Sequence, residues 1–192
     1  MANKKTTALT QSEYELIINT IKSGFKGEGG RKFRANERLA TILTLEANLG
    51  LRIGDILNLK LSDIVKDGVR YRLDIIEQKT GKRRTFTVPR EILEYINNYA
   101  RHYKIETTEP LFSLSERAVQ KQLKLVTDYL EIEGVGTHSF RKYFATSIYL
   151  ENGYNIELVR TLLQHSSSAI TQKYIGIGQR DVEEALKKHI KL

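Results

Sequence analysis

The sequence contains no cysteine and only two prolines among its 192 residues. The lack of cysteine excludes disulfides, thiolate zinc sites and cysteine nucleophiles, and the scarcity of proline leaves long helices possible. No apolar run approaches the roughly 20 residues that a transmembrane helix needs. The basic start, Met1 to Lys5, is followed by no apolar segment, so it does not indicate a secretory signal. These absences fit a protein of a reducing cytoplasm.

Other missing patterns narrow the chemistry. The four histidines form no HExxH pair and no cluster with metal-ligand spacing, and there is no P-loop or dinucleotide glycine fingerprint. We therefore expect no cofactor and no metal, and any catalysis would rest on side chains alone. The formal net charge of +8 favours a polyanionic partner such as nucleic acid, although a basic protein without such a partner has the same composition.

The hydrophobic pattern predicts a mainly α domain with one small antiparallel β-sheet inserted, an α+β fold. Thr10 and Glu13 match a capping box, and apolar residues follow at helical spacing as far as Phe25. The stretch 26–32 reads as an exposed basic, glycine-rich loop. Further helices are predicted over about 35–48, from 52 for a short stretch, and over 92–103, 119–130, 138–152, 156–164, 169–175 and 179–189.

The sheet is indicated by a change of period. Asp67-Gly68 and Thr80-Gly81 are turn signals, and the residues between and after them alternate as strands do. This places a basic tip, Lys79 to Arg84, on a hairpin.

His138 and Arg141 lie three residues apart, so they share one face of the predicted helix at its N-terminus. An imidazole and a guanidinium there, beside free backbone N–H groups, form a good phosphate-binding pair. A surface histidine and arginine on an amphipathic helix would give the same pattern.

Arg52 is a charged residue within an apolar segment, flanked by Leu51 and Ile53. A partly buried arginine needs an anion. Asp55, three residues on, is one candidate, which would make a structural ion pair, and a bound phosphate is the other.

His165 follows an apolar stripe and begins a polar loop, and Tyr174 lies about nine residues later, before Gly176 and Gly178. A tyrosine on a short, glycine-flanked helix can move. With ten tyrosines in the chain, a half-buried packing role is the plain alternative.

In this order, these segments resemble the tyrosine recombinase (phage integrase) family, and the resemblance covers about Leu9 to Ile177. The family pattern is an arginine with an acidic residue three later, a lysine in a β-hairpin, a His-x-x-Arg box, a second histidine and a tyrosine about nine residues on. The matching positions are Arg52, Asp55, Lys79, His138, Arg141, His165 and Tyr174. Gln164 departs from the glycine that the family often has.

The resemblance implies a reaction in which the Tyr174 hydroxyl attacks a DNA phosphate. A 3′-phosphotyrosyl bond forms, a 5′-hydroxyl leaves, and the reverse step rejoins the strands without ATP. It implies that Arg52 and Arg141 hold the non-bridging oxygens and that His165 donates a hydrogen bond to the same phosphate.

The remaining roles concern proton transfer and support. The resemblance implies that His138 accepts the Tyr174 proton and that Lys79 protonates the leaving 5′-oxygen. Asp55 would orient the Arg52 and His138 side of the site. Lys82 is the alternative lysine, since the turn offers two.

Family members usually carry a separate helical core-binding domain before the catalytic one. Here we expect a single catalytic domain over 1–192, with its core over 9–177 and that preceding domain absent. A C-terminal helix over 179–192 would dock on a neighbouring subunit, as in the family, or pack on its own domain.

The expected partners are double-stranded DNA and further copies of the chain, as a homo-oligomer (tetramer) on DNA, with no membrane. Lys32 and Arg34 in the first basic segment, and Lys82 and Arg83 at the hairpin, are predicted DNA contacts. The resemblance implies a cytoplasmic protein of a bacterium, a phage or a mobile element. A non-catalytic DNA-binding regulator of the same fold and a type IB topoisomerase are the competing functions.

Overall fold

The computed structural model describes residues 6–27, 30, 32–176 and 189. The α-helices in these residues are α1 (Gln11–Ser23), α2 (Glu37–Leu49), α3 (Ile53–Leu57), α4 (Arg90–Tyr103), α5 (Glu116–Tyr129), α6 (Thr137–Glu151), α7 (Ile156–Leu163) and α8 (Ser168–Ile175). The strands are β1 (Phe25–Lys26), β2 (Lys32–Phe33), β3 (Ile64–Asp67), β4 (Arg70–Ile76) and β5 (Arg83–Thr87). The predicted class, a mainly α domain with a small antiparallel sheet, is confirmed.

Helix α1 begins with the capping box that the sequence predicts. The Glu13 amide donates to the Thr10 hydroxyl at 3.2 Å, and the Thr10 amide donates to the Glu13 carboxylate at 2.7 Å. The helix ends before Phe25, so the prediction that Phe25 closes the helical stripe is wrong. The chain turns at Gly24, whose φ is 71°, and Phe25 begins a strand.

The segment predicted as a basic loop is bounded by a short antiparallel ribbon. Phe25 pairs with Phe33 and Lys26 pairs with Lys32. The Phe25 ring stacks on Phe33 at 4.9 Å and on Tyr129 of α5 at 4.0 Å between ring centroids. These aromatic contacts attach the two ends of the segment to the helical body, which strands of two residues could not do alone.

The main sheet is a three-stranded antiparallel meander in the order β3-β4-β5. Its first turn lies at Asp67-Gly68, as predicted, and its inner face is closed by Leu73, which is fully buried. Arg84, the last residue of the predicted basic tip, lies inside the protein rather than at its surface. Arg84 lies two residues before Phe86 on β5, so the two side chains share the inward face of the strand, and Arg84 is only 2% exposed.

Helix α2 forms the centre of the fold and contacts α1, α3, α4, α5 and α6. It ends at Gly50 in the left-handed conformation, with φ 56°. A Cβ atom there would lie 2.3 Å from Cδ1 of Phe144. Both the backbone angle and this close approach require glycine, and the turn they allow delivers Arg52 to the start of α3.

The helices after α6 rest on a cluster of their own. Ala145, Val159, Leu163 and Ile175 form its buried centre, apart from the larger core beneath α1 to α5 and the sheet. The C-terminal helix predicted over 179–189 lies, except for its last residue, outside the described part of the chain. No helix in the described residues has the length and apolar character that spanning a bilayer requires.

Candidate active site

Arg52 stands at the N-cap of α3, and its guanidinium pairs with an acid that the sequence analysis did not single out. Its Nη1 donates to Oε2 of Glu77 at 2.6 Å. The predicted alternative of a structural ion pair between Arg52 and Asp55 is therefore wrong. Asp55 instead accepts the backbone N–H of Gln78 at 2.9 Å, so it holds the start of the turn that carries Lys79.

Glu77 belongs to a buried charge cluster. Its Oε1 accepts from Arg84 Nη1 at 3.2 Å, while Arg84 Nη2 donates to the Leu49 carbonyl at 3.2 Å. Burial acts to raise the pKa of Glu77, but hydrogen bonds from Arg52 and Thr80 outweigh it and hold this pKa below its ordinary value. Burial, reinforced by the charge of Arg141, lowers the pKa of Arg84 to about 10.

A sequence signal for this cluster existed. Leu73, Ile75 and Glu77 alternate on one face of β4 and its extension, and Arg84 and Phe86 alternate on β5. Extending the inward-facing series of β4 beyond Ile75 reaches Glu77. Extending that of β5 back from Phe86 reaches Arg84. Their opposite charges at neighbouring inward positions indicate a buried ion pair.

Arg141 lies one turn into α6 and is 1% exposed. Its Nη1 donates to the Gly50 carbonyl, and its Nη2 donates to the Leu163 carbonyl at 3.3 Å. The guanidinium therefore joins the end of α2 to the end of α7. Burial lowers its pKa, which is a sign of a cation held in poorly solvated surroundings.

Tyr174 on α8 lies between the two predicted histidines. Its ring centroid is 5.9 Å from that of His138 and 5.1 Å from that of His165, edge to face in both cases. Its buried hydroxyl has no hydrogen-bond partner of normal geometry among the residues that the structure describes, although the Arg141 guanidinium lies close enough to act on its pKa as a weak donor. Burial raises the pKa of Tyr174 to about 12, against the opposing charge of Arg141.

Lys142 is a further cation beside the phenol that the sequence analysis missed. Its Nζ lies 5.6 Å from the Tyr174 ring centroid and donates to the Thr6 carbonyl. It directly follows Arg141, so a third basic residue in the His-x-x-Arg box was the available signal.

Both imidazoles are neutral at neutral pH. Burial, followed by the charges of Arg141 and Lys142, lowers the pKa of His138. Burial, followed by the charge of Arg141, lowers the pKa of His165 to about 4. The His165 Nδ1 lies 3.1 Å from the hydroxyl of the buried Thr171, which fixes the ring and leaves Nε2 for another partner.

The hairpin lysines are exposed on the turn between β4 and β5. The charge of Lys79 contributes to the lowered pKa of His138, which places Lys79 on the site's side of the turn. Lys82 is exposed as well, and Arg83 forms an ion pair with Asp74, with its Nε at 2.7 Å and its Nη2 at 2.5 Å from the carboxylate oxygens.

Lys32 and Arg34 are exposed on and after β2, on the aromatic ribbon beside Tyr129. The structure thus brings Arg52, Lys79, His138, Arg141, His165 and Tyr174 together in one region. Asp55 does not face this region and instead supports the turn by accepting the Gln78 amide. Lys32 and Arg34 lie on the ribbon and are not part of this region. An anion could bind among the cations of this region, next to the phenol oxygen.

The chain is similar to known proteins along nearly its whole length. A model described as the phage integrase family matches residues 7–179. The tyrosine recombinase XerA of Pyrococcus furiosus is 29% identical over 189 residues, which cover 94% of this chain and 61% of XerA. YoeC of Bacillus subtilis, a probable integrase/recombinase, is 28% identical over 181 residues, covering 89% of this chain and 96% of YoeC.

The chain spans about half of some relatives, for example 50% of the tyrosine recombinase XerC of Caldanaerobacter subterraneus subsp. tengcongensis, which is 28% identical over 94% of this chain. Solved structures share the fold. The XerH site-specific recombinase in a post-cleavage complex with a palindromic difH substrate matches with a TM-score of 0.70 and 22% identity, covering 96% of this chain and 53% of XerH.

The catalytic domain of bacteriophage HP1 integrase matches with a TM-score of 0.64 and 19% identity, covering 96% of each chain. The family model extends from the segment before α1 to the residues just after α8, so it includes all the elements that build the site. The chain therefore belongs to the phage integrase family.

Proposed function

We propose that this chain is the catalytic domain of a tyrosine-type site-specific DNA recombinase, which cleaves and rejoins strands through a 3′-phosphotyrosyl bond at Tyr174. The proposal rests on the imidazole and basic side chains that surround the phenol of Tyr174. The rings of His138 and His165 flank it at 5.9 and 5.1 Å, and the Lys142 ammonium lies 5.6 Å from it. The charges of Arg52 and Arg141 both act on its hydroxyl.

The arginines supply the phosphate site. Arg52 and Arg141 bind the non-bridging oxygens of the scissile phosphate and stabilise the charge that develops on them in the transition state. His165 is neutral and donates from Nε2 to the same phosphate when the single Thr171 hydroxyl hydrogen is given to Nδ1, at 3.1 Å, rather than to the Ser167 carbonyl, at 3.4 Å. The buried contacts of these groups fix the geometry before DNA arrives.

Two proton transfers accompany the exchange of bonds. The Tyr174 oxygen bonds to phosphorus as the bond to the 5′-oxygen breaks, so the phenol loses a proton and the leaving oxygen gains one. Neutral His138 accepts the first proton, and Lys79 donates the second, with Lys82 as the alternative donor. The phosphotyrosyl bond keeps the energy of the broken bond, so rejoining is the reverse of cleavage.

The Tyr174 hydroxyl is buried. A phosphate can reach it only after α8 or the side chains around it move. Binding of DNA is therefore coupled to a local rearrangement of the segment that carries the nucleophile.

DNA contacts outside the site come from the basic residues on the surface. Lys82 and Arg83 flank the hairpin, and Lys32 and Arg34 lie on the ribbon, where they contact the DNA backbone. The catalytic domain acts on double-stranded DNA within a tetramer.

A covalent-capture experiment tests the proposal and selects the DNA site in the same step. The chain is incubated with a library of nicked duplexes that contain a randomised segment, and covalently bound DNA is isolated under denaturing conditions and sequenced. We expect enrichment of particular duplexes, and an adduct on a denaturing gel when one of them is resynthesised.

Tyr174→Phe is the matched control, because the hydroxyl it removes has no hydrogen-bond partner of normal geometry in the described structure. It should bind the enriched duplex and keep the melting temperature while forming no adduct. An adduct that persists in Tyr174→Phe would contradict the assignment of the nucleophile. Wild-type protein that binds DNA but captures none of the library would point to a non-catalytic regulator.

A further inference from the structure

The turn that carries Lys79 is a closed unit whose position depends on Glu77. The Glu77 amide donates to the Lys82 carbonyl at 2.9 Å, and the Gly81 amide donates to the Glu77 carbonyl at 2.8 Å. Lys79 itself is exposed at the middle of this unit. Wherever the Glu77 backbone is held, the backbone of Lys79 is held with it.

The Glu77 carboxylate connects the turn to the phosphate site. Its Oε2 accepts from Arg52 Nη1 at 2.6 Å and from the Thr80 hydroxyl at 2.8 Å, and its Oε1 accepts from Arg84 Nη1 at 3.2 Å. The three donors come from the start of α3, from the turn and from β5. One carboxylate therefore sets the distance between the Arg52 guanidinium and the turn.

Burial makes this arrangement stiff. The Glu77 side chain is 1% exposed and that of Arg84 is 2% exposed, so water cannot replace the donors at little cost. Without the negative charge, the guanidiniums of Arg52 and Arg84 would repel one another within the same poorly solvated space. The ion pair therefore stabilises Arg52 at this place.

We propose that Glu77 is a positioning residue that fixes the Lys79 turn relative to the Arg52 guanidinium, so that the leaving oxygen of a phosphate bound by Arg52 lies within reach of the Lys79 ammonium. This inference rests on the proposed recombinase function. Glu77 itself touches neither DNA nor the reacting atoms. It acts through Arg52 on the phosphate and through Thr80 on the general acid.

The effect of Glu77 on phosphate binding and its effect on the general acid can be measured separately by changing the leaving group. An alkoxide leaving group needs a proton from the turn, whereas a thiolate, from a group with a pKa of about 8.5, leaves without one. A duplex in which the bridging 5′-oxygen is replaced by sulfur therefore reports on phosphate binding and attack alone. The probes are the captured duplex with a 5′-oxygen and the same duplex with a 5′-sulfur at the scissile phosphate.

Thr80 offers the cleaner variant, because it attaches only the turn side. Thr80→Val removes the hydrogen bond to Glu77, together with the weaker one that the Thr80 hydroxyl accepts from the Lys82 amide at 3.3 Å, and keeps the ion pair between Glu77 and Arg52. Thr80→Ser retains the hydroxyl and both of its hydrogen bonds. We expect Thr80→Val to slow single-turnover cleavage of the oxygen duplex about tenfold, with no change on the sulfur duplex. Thr80→Ser should cleave both duplexes at the wild-type rates.

Glu77→Gln removes the negative charge and leaves one acceptor oxygen for three donors, so it weakens both attachments. We expect it to slow cleavage of the oxygen duplex about 100-fold and that of the sulfur duplex about tenfold, the remaining loss being that of Arg52 alignment. Glu94→Gln, which removes the exposed ion pair with Arg90 on α4 (2.8 Å), is the control and should cleave both duplexes normally. If Glu77→Gln does not fold, the Thr80 pair decides the question.

Wild-type rates for Thr80→Val on the oxygen duplex would overturn the inference. So would equal slowing of both duplexes by Thr80→Val or Glu77→Gln, since damage to the fold or to phosphate binding does not depend on the leaving group. Failure of the proposed function looks different, because wild-type protein would then form no Tyr174-dependent adduct with either duplex.

Discussion

The two halves of the candidate site are built differently. The proposed phosphate-binding floor, formed by Arg52, Glu77, Arg84 and Arg141, rests on the main core around α2 and is held by buried ion pairs and by the backbone carbonyls of Leu49 and Gly50. The nucleophile segment, α7 and α8 with His165 and Tyr174, rests on a smaller separate cluster.

This difference indicates that the floor stays fixed while the nucleophile segment moves. The floor is fixed before DNA binds, because each of its charges already has a buried partner. The nucleophile segment has short helices, few buried side chains and a phenol whose hydroxyl lacks a hydrogen-bond partner of normal geometry in the described structure. Elements with few buried contacts open at a lower free energy than the core, so the segment can move onto a phosphate that the floor has placed.

Arg52→Lys tests most strongly whether the floor differs from the nucleophile segment in having a fixed geometry. If the floor works through fixed geometry rather than charge alone, lysine will fail, since it keeps the charge but loses the planar fork of donors. We expect single-turnover cleavage of the captured duplex to fall on the order of 100-fold.

Arg72→Lys is the matched control, because Arg72 makes ion pairs with Asp67 and Asp74 at 3.9 and 3.6 Å and is 41% exposed. It should cleave at close to the wild-type rate. Near-normal cleavage by Arg52→Lys would show that the floor supplies no more than positive charge.

Gly50→Ala probes the junction of the two halves. Gly50 accepts from Arg141 of the floor, and its Cα faces the Phe144 ring, which packs on the smaller cluster. A methyl group there meets the ring at 2.3 Å on a backbone with φ 56°. We expect the free energy of unfolding, measured in urea, to fall by about 3 kcal/mol.

Gly68→Ala isolates the backbone part of this effect. Its φ is 61°, and a Cβ there has nothing within 4 Å, so only the cost of the left-handed conformation applies, about 1 kcal/mol. Equal losses for the two variants would mean that Phe144 yields easily and that the halves are not joined at Gly50.

The sequence was sufficient for the helices because their apolar stripes repeat over several turns. Helix α4, with Ile96, Tyr99 and Ala100 buried, lies close to its predicted range. The strands of the aromatic ribbon contain only Phe25–Lys26 and Lys32–Phe33, which is too short for a period to show.

The order of motifs indicated which residues would come together, but not their partners. Asp55 is the nearest acid to Arg52 along the chain, whereas Glu77, its partner, is 25 residues away. That pairing depends on how the sheet packs against α3. Likewise, the contact from Lys142 to Thr6 joins residues 136 apart, and no local pattern predicts it.

Hydrogen exchange compares the halves directly. Amides of α7 and α8 should exchange at least tenfold faster than those of α2 under native conditions, a difference of about 1.4 kcal/mol or more in opening free energy. Mass spectrometry of peptides from the two regions measures it. Equal protection would contradict the idea that the nucleophile segment opens separately from the floor.

The pH dependence of stability tests the burial of His165. The pKa of His165 is lowered to about 4 in the folded protein, below the ordinary value of about 6.5. The unfolded chain therefore binds more protons between these values, and the contribution of His165 to stability is lost as the pH falls through this window.

We expect His165→Gln to flatten the fall in unfolding free energy between pH 6.5 and pH 4, measured by urea unfolding. His102→Gln, at an exposed position of α4, is the matched control. Identical slopes in wild type and His165→Gln would mean that His165 is as well solvated in the folded protein as in the unfolded chain.

The most direct measurement is the identity of the residue that becomes linked to DNA. Wild-type protein is trapped on the captured nicked duplex, digested with a protease and a nuclease, and sequenced by mass spectrometry. The account predicts a single nucleotide-bearing peptide with the added mass on Tyr174. A nucleotide on any other tyrosine, or on a serine or histidine, would contradict it.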